Sequence, residues 1–344
     1  MMNSSVSENK QLNVPKNFIK VLIFLVILLG ICVLASLAFG SRTIGWTQLM
    51  DGLLHPDVQS HEANVVRQRI SRTIFSLMCG AALGVSGALM QSVTRNPIAD
   101  PSILGVNTGA ALFVVCGISF LDISTASQYI WLALLGSIIT AIFVFGIGSM
   151  GSGGATPLKL VLAGAATSAA LSSLVIAIMI PRTNVMDQFR FWQVGSVGSG
   201  NWNSIYTFIP FLIVGILIAL FTAPALNALA LGDEVATGLG VRTGMLRLIA
   251  AFAGILLCGA ATALAGPIGF IGLLATHVVR LVIGPDLRFI IPMSALSGAI
   301  ILTISDICGR LIGSPGELEV GIVTAFIGAP ILILLTMKAK MRTL

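Results

Sequence analysis

Charge is what this chain has least of. Of its 344 residues only 9% are Asp, Glu, Lys or Arg, against about a quarter in a soluble domain. A water-soluble fold of this size would present a large surface with almost no charge to cover it. That excludes an ordinary soluble enzyme and a disordered chain. Nineteen basic residues exceed thirteen acidic ones by six, but they are scattered and form no stripe, so no nucleic acid is implied. Cysteine is sparse. Cys32, Cys79, Cys116, Cys258 and Cys308 make no CxxC or Cys/His cluster, so they read as small packing residues and no metal site is expected. The pattern GxxxxGK[ST] does not occur, so the chain carries no P-loop ATPase of its own. Gly146 to Gly151 fit GxGxxG, but they end an apolar run without any βαβ context, which removes the dinucleotide reading. Paired carboxylates, a Ser/Lys dyad and a His cluster are also lacking, so nothing supports an intramembrane enzyme.

Long apolar runs are what is there. The chain is 56% hydrophobic with a mean hydropathy of +1.01. The runs are unbroken and near the ~20 residues that cross a bilayer as helix, unlike the short alternating segments of a membrane β-barrel. The fold class is therefore all-α, a polytopic membrane protein of about ten transmembrane helices. Spans are expected at 18–40, 70–92, 103–121, 128–149, 158–180, 204–226, 245–265, 269–284, 288–310 and 320–337. Residues 1–17 read as a polar tail, 18–337 as one membrane domain and 338–344 as a second tail. Phe18 to Phe39 is longer than a signal-peptide core, so an uncleaved first span is expected despite the small residues at 35–38.

An even number of spans puts both termini on one side. With that side cytoplasmic, twelve of the nineteen Lys and Arg fall inside and seven outside, as the positive-inside bias requires. The outer exceptions are informative: Arg67, Arg69 and Arg72 cluster at the second span and Arg310 ends the ninth. Topology alone leaves two readings open, snorkelling to headgroups and docking of an acidic partner. Asp306 lies one turn before Arg310, a spacing that allows pairing, and reads as structural or docking support. His277 reads as a helix-packing residue rather than a proton relay.

Two polar interruptions stand out on the inner side. Arg95-Asn96-Pro97-Ile98-Ala99-Asp100-Pro101 forbids continuous helix and predicts a kinked re-entry. Gly232, Asp233, Glu234, Val235, Ala236, Thr237, Gly238, Leu239 and Gly240 predict a short helix with acidic residues at its N-terminus and glycine at its end. Lying in the longest internal loop (231–241), it resembles a contact element more than a connector.

With these residues assembled, the chain resembles the FecCD family, permease subunits of the iron-siderophore and cobalamin class of bacterial ABC importers. The resemblance runs through Arg69 to Arg72, Gly87 to Gln91, Asn96 to Pro101, Leu104 to Val106, Leu162 to Gly164, and Phe191-Trp192 with Gly195-Ser196. It continues through Gly232 to Gly240, Gly266 to Leu273, His277 with Arg280, Gly284 to Asp286 with Arg288, Asp306 with Arg310, and Glu317 to Pro330. One departure is visible: the family usually has proline before the His, and Thr276 stands there, so a kink is lost or softened.

The resemblance implies a pore made by two permease subunits, with a paralogue slightly favoured over an identical copy as the second. It implies two ATPase subunits docked inside, holding the ATP and Mg, and an extracytoplasmic binding protein outside. No cofactor is expected in this chain itself, and the location implied is the bacterial cytoplasmic membrane. Arg69, Arg72 and Arg310 stand where the family docks its binding protein at the outer rim, and replacing Arg69 and Arg72 is expected to leave folding intact. Gly232, Asp233, Glu234, Val235, Ala236, Gly238 and Gly240 match the ATPase-coupling segment. Asn96, Ile98 and Pro157 match the inner gate. The competing reading is an ion- or proton-coupled secondary transporter. Such proteins commonly place carboxylates or unwound carbonyls at the midplane, and the mid-span segments here contain no Asp or Glu.

Overall fold

The computed structural model describes residues 18–40, 44–55, 60–97, 99–123, 125–150 and 157–341. Among these residues the regular structure is all helical, as lipid demands, because a helix satisfies its own backbone polar groups. In chain order the helices are α1 (Phe18–Ala38), α2 (Trp46–Leu54), α3 (His61–Thr94), α4 (Val106–Leu121), α5 (Ala126–Ser149), α6 (Pro157–Met179) and α7 (Thr183–Val194). There follow α8 (Trp202–Ala230), α9 (Asp233–Gly238), α10 (Thr243–Ala265), α11 (Ile271–Ile283), α12 (Leu287–Ile312) and α13 (Val320–Met341). Seven are long and apolar enough to cross a membrane, and α4, α11 and α13 add three shorter apolar helices. These ten stand in the order of the ten expected spans. The short helices α2, α7 and α9 lie between them.

Side-chain caps set several boundaries. Ser60 accepts from the Ala63 amide to start α3, and Asn201 accepts from Ser204 to start α8. Asp286 accepts from the Arg288 amide to start α12. Each satisfies an orphan donor of a helix N-terminus. Asp100 accepts from the Ser102 amide and opens a single 3-10 turn over Pro101–Leu104, which is how the chain re-enters after α3. Pro210 and Pro224 lie inside α8 without ending it, a substitution that membrane helices tolerate.

Helices in lipid gain nothing from hydrophobic exclusion against one another, so close packing of small residues holds them. The central example is the antiparallel pair α3 and α12. A Cβ on Gly80 would overlap the Gly298 carbonyl, and one on Gly84 the Ser294 carbonyl. Further along, Ser76 Oγ lies 3.3 Å from Thr303 Oγ1. Gly87 and Gly272 bring α11 onto the same helix, and Ser86 Oγ donates to Gly254 O of α10 at 2.5 Å. Helices α3 and α10 are thus mostly buried, while α1 and α6 expose most of their apolar surface.

Helix α3 has 34 residues, about 51 Å at 1.5 Å per residue. That exceeds the ~30 Å hydrocarbon layer, and the polar first turns, His61 to Gln68, supply about 12 Å of the excess. The expected span at 70–92 therefore covers only its apolar part.

Candidate functional site

The few charges gather at the two ends of α3. At the end where α1 finishes, Arg69, Arg72, Asp306, Arg310 and Glu317 form one network. Arg72 donates Nε and Nη2 to Asp306 Oδ1 at 3.1 and 2.7 Å, and Nη1 to Glu317 Oε2 at 2.6 Å. Arg310 Nε lies 3.0 Å from Asp306 Oδ2, so the one-turn spacing does produce a pair. The rest of the Arg310 guanidinium turns to α1: Nη1 donates to the Ser36 and Phe39 carbonyls at 3.0 Å each, and Nη2 to Ser36 Oγ at 2.9 Å. Arg69 Nη1 donates to the Leu37 and Ala38 carbonyls at 2.9 and 3.1 Å. Two arginines thus cap the C-terminal carbonyls of α1, where a helix end has no donors of its own and favours positive charge.

This corrects one sequence expectation. Arg69 and Arg310 are not exposed rim residues: they are 7% and 2% exposed. The expectation that Arg69 is dispensable for folding does not fit its place under α1. Arg72 is different, because its side chain is 15% exposed and its partner Glu317 41% exposed. The Arg72–Glu317 pair is the part of the network open to an approaching molecule. It borders a recess of about 500 Å³ lined by Tyr129, Trp192, Ser196, Asn201, Glu317 and Glu319.

At the opposite end, Gly232 to Gly240 fold as expected into a short helix. Gly232 (φ 120°) and Gly240 (φ 82°) adopt left-handed conformations on either side of α9, which suits glycine. Ala236 packs inward, while Val235 and Leu239 are 49% and 64% exposed. Asp233 Oδ1 accepts from Arg247 Nη2 at 2.8 Å and pairs with Arg95 Nη2. Arg95 Nη2 also donates to the Leu229 carbonyl at 2.6 Å. Nearby, Asn227 Nδ2 donates to Asp286 Oδ1 at 2.6 Å, and Asn227 Oδ1 accepts from the Leu287 amide at 2.9 Å. The Arg288 side chain donates to both Asp286 oxygens and holds that carboxyl below the usual range.

Asn96 follows the end of α3 and lines a small recess with Asp100, Leu160 and Val161. Pro157 opens α6, whose first turn carries those last two residues, so Asn96 and the start of α6 are neighbours. Ile98 lies outside the described residues. Thr276, at the position of the missing proline, donates its hydroxyl to the Gly84 carbonyl at 3.3 Å, and α11 runs unbroken past it. His277 is half-buried beside the charge of Arg280.

Sequence reasoning missed Arg95 and Arg247 as partners of Asp233, and Asn227 as the link between α8 and α12. Its one usable signal was that all three fall at expected inner ends of spans.

A bundle too apolar for water, with several long apolar helices, defines a multi-pass membrane protein. The chain belongs to the FecCD transport family, which it matches over residues 27–338. It is 40% identical over 339 residues to the ferric enterobactin transport system permease protein FepD of Escherichia coli (strain K12), covering 98% of each chain. It is 40% identical to the Fe(3+)-citrate import system permease protein YfmD of Bacillus subtilis (strain 168), covering 94% of this chain and 95% of that one. Among solved structures, an inward-facing metal-chelate type ABC transporter superposes with a TM-score of 0.79 at 27% identity, covering 93% of this chain and 99% of the other.

Proposed function

We propose that this chain is the pore-forming permease subunit of an ATP-driven importer for a ferric siderophore-type chelate in the bacterial cytoplasmic membrane. The observation that carries the reading is full-length similarity to permeases whose names specify ferric enterobactin and ferric citrate. In this reading two ATPase subunits, which bind the ATP and Mg, sit at the α9 end. A second permease, a paralogue rather than an identical copy, completes the pore, and a binding protein docks at the Arg72 end. The exposed Val235 of α9 and Leu239 just after it support a protein contact there. Gly232, Asp233, Glu234, Val235, Ala236, Gly238 and Gly240 form the coupling segment, and Asn96, Ile98 and Pro157 the inner gate. Docking is assigned to Arg72 as the contact, with Arg69 and Arg310 fixing the ground it stands on.

The test is reconstitution of the co-expressed complex into liposomes with radiolabelled ferric enterobactin and ferric citrate. Uptake that requires internal or external ATP and a binding protein is the expected result. Uptake by this chain alone under a sodium or proton gradient would replace the importer with a secondary transporter.

A further inference from the structure

We propose that Arg95 and Arg247 hold Asp233 in a two-armed clamp, so that α9 moves as one body with α3 and α10. The inference rests on α9 being the ATPase contact and adds the residues that carry its motion into the bundle.

Four observations converge on the clamp. First, α9 has little else to hold it. Its flanking glycines are in left-handed conformations with nothing within 4 Å of where a Cβ would stand, and of its own residues only Ala236 is buried. Second, one carboxylate oxygen, Asp233 Oδ1, serves both arginines, which come from different helices. Arg95 also donates to the Leu229 carbonyl, so a single guanidinium joins α3, the end of α8 and α9. Third, Arg95 is a non-glycine residue in the left-handed region, at φ 50° and ψ 34°, ending α3. Glycine would occupy that position without steric cost. An arginine there is accounted for by what its side chain holds. Fourth, Arg95 caps the unbroken helix that carries Arg72 23 residues earlier, about 35 Å away. A shift of α9 therefore reaches the Arg72–Asp306 network through a single rigid element rather than through loops.

The clamp is not there for stability. Its side chains are 31% to 44% exposed, and exposed ion pairs add little to folding. Their value is geometric, so coupling is what their loss should change. Asp233, Arg95 and Arg247 are positioning residues.

The experiment uses the full complex of permeases, ATPase and binding protein in liposomes, with radiolabelled ferric enterobactin as probe. The variants are Arg95→Gly, Arg247→Gln, the two combined, Asp233→Asn and Arg95→Lys. Arg95→Gly suits the backbone it enters, so folding is preserved while the arm is removed. We expect the ATPase to co-purify and to hydrolyse ATP in the Arg95 and Arg247 variants. Chelate taken up per ATP should fall about tenfold in the combined variant, the size of an ordinary coupling between sites. Asp233→Asn should add nothing to that loss, because both arms end on the same carboxylate, and Arg95→Lys should recover part of it. Unchanged uptake per ATP in the combined variant would overturn the clamp. Loss of the ATPase on Arg95→Gly would overturn it too, by making Arg95 a docking residue. Val235→Asp separates the two levels: it should release the ATPase. If the ATPase stays bound and uptake persists, α9 is not the contact and the clamp falls with that reading.

Discussion

Replacing Arg310 with methionine should release the end of α1. In the structure this guanidinium is 2% exposed. It serves the Ser36 and Phe39 carbonyls, the Ser36 hydroxyl and Asp306. Methionine fills some of the space but donates nothing, leaving two helix-end carbonyls and one carboxylate oxygen without their charged partner. Hydrogen bonds to a charged group contribute about 1.5–3 kcal/mol each, and breaking one side of a buried ion pair costs about 3–5 kcal/mol. Arg72 still pairs with Asp306, so the low end applies, about 3 kcal/mol. Cys32 reports the event, because it lies on α1 one turn before Ser36 and is buried. With the other cysteines replaced by serine, local opening worth ~3 kcal/mol should speed maleimide labelling of Cys32 roughly a hundredfold. Arg67→Gln is the control. Arg67 is half-buried and bonds Asn64 and the His55 carbonyl near the surface, away from the α1 carbonyls that Arg310 serves, so its loss should change labelling little. If Arg310→Met labels no faster than that control, the capping argument is wrong.

Other substitutions probe separate parts of the account. Gly84→Leu drives a side chain into the Ser294 backbone; overpacking against backbone should cost about 3 kcal/mol, read as a lower unfolding temperature and a lower yield of monodisperse protein. Glu317→Gln removes the exposed carboxylate that occupies Arg72 Nη1; it should tighten binding of the docking protein several-fold at low salt and less at high salt, measured by surface binding to the complex in nanodiscs. Asp286 has its carboxyl held low by hydrogen bonding from Arg288. The sign follows: its stabilisation is complete above the unfolded value of about 3.9 and is lost as pH falls through the lower folded value. Thermal stability should therefore not respond to this group between pH 7 and 5, should drop below about pH 4, and should lose that acid dependence in Asp286→Asn.

The crossings were legible because lipid leaves a strong compositional mark, and each expected span has its helix. What hydropathy did not show were helices that do not cross. α2 is short, and α7 carries Asn184, Asp187 and Arg190 among its apolar residues, so neither scores as a span. The first turns of α3 were missed for the same reason. At the charged ends the residue types were legible as outliers in an apolar chain, but their burial was not. Whether Arg69 and Arg310 face water depends on where α1 stops relative to α3 and α12, a tertiary fact no local pattern encodes. The partnership of Arg95 with Asp233 joins residues 138 positions apart. Only the antiparallel return of the helices brings them together. At Thr276, where the family usually has proline, α11 is continuous and the hydroxyl instead bonds the Gly84 carbonyl of α3.

The most direct test is to purify the tagged chain in mild detergent, with and without Val235→Asp, and identify by mass spectrometry what accompanies it. The account predicts that a P-loop ATPase co-purifies with the unaltered chain, is lost from the variant, and supplies all the ATP hydrolysis in the preparation. A chain that purifies without an ATPase yet still accumulates ferric chelate in vesicles would contradict it.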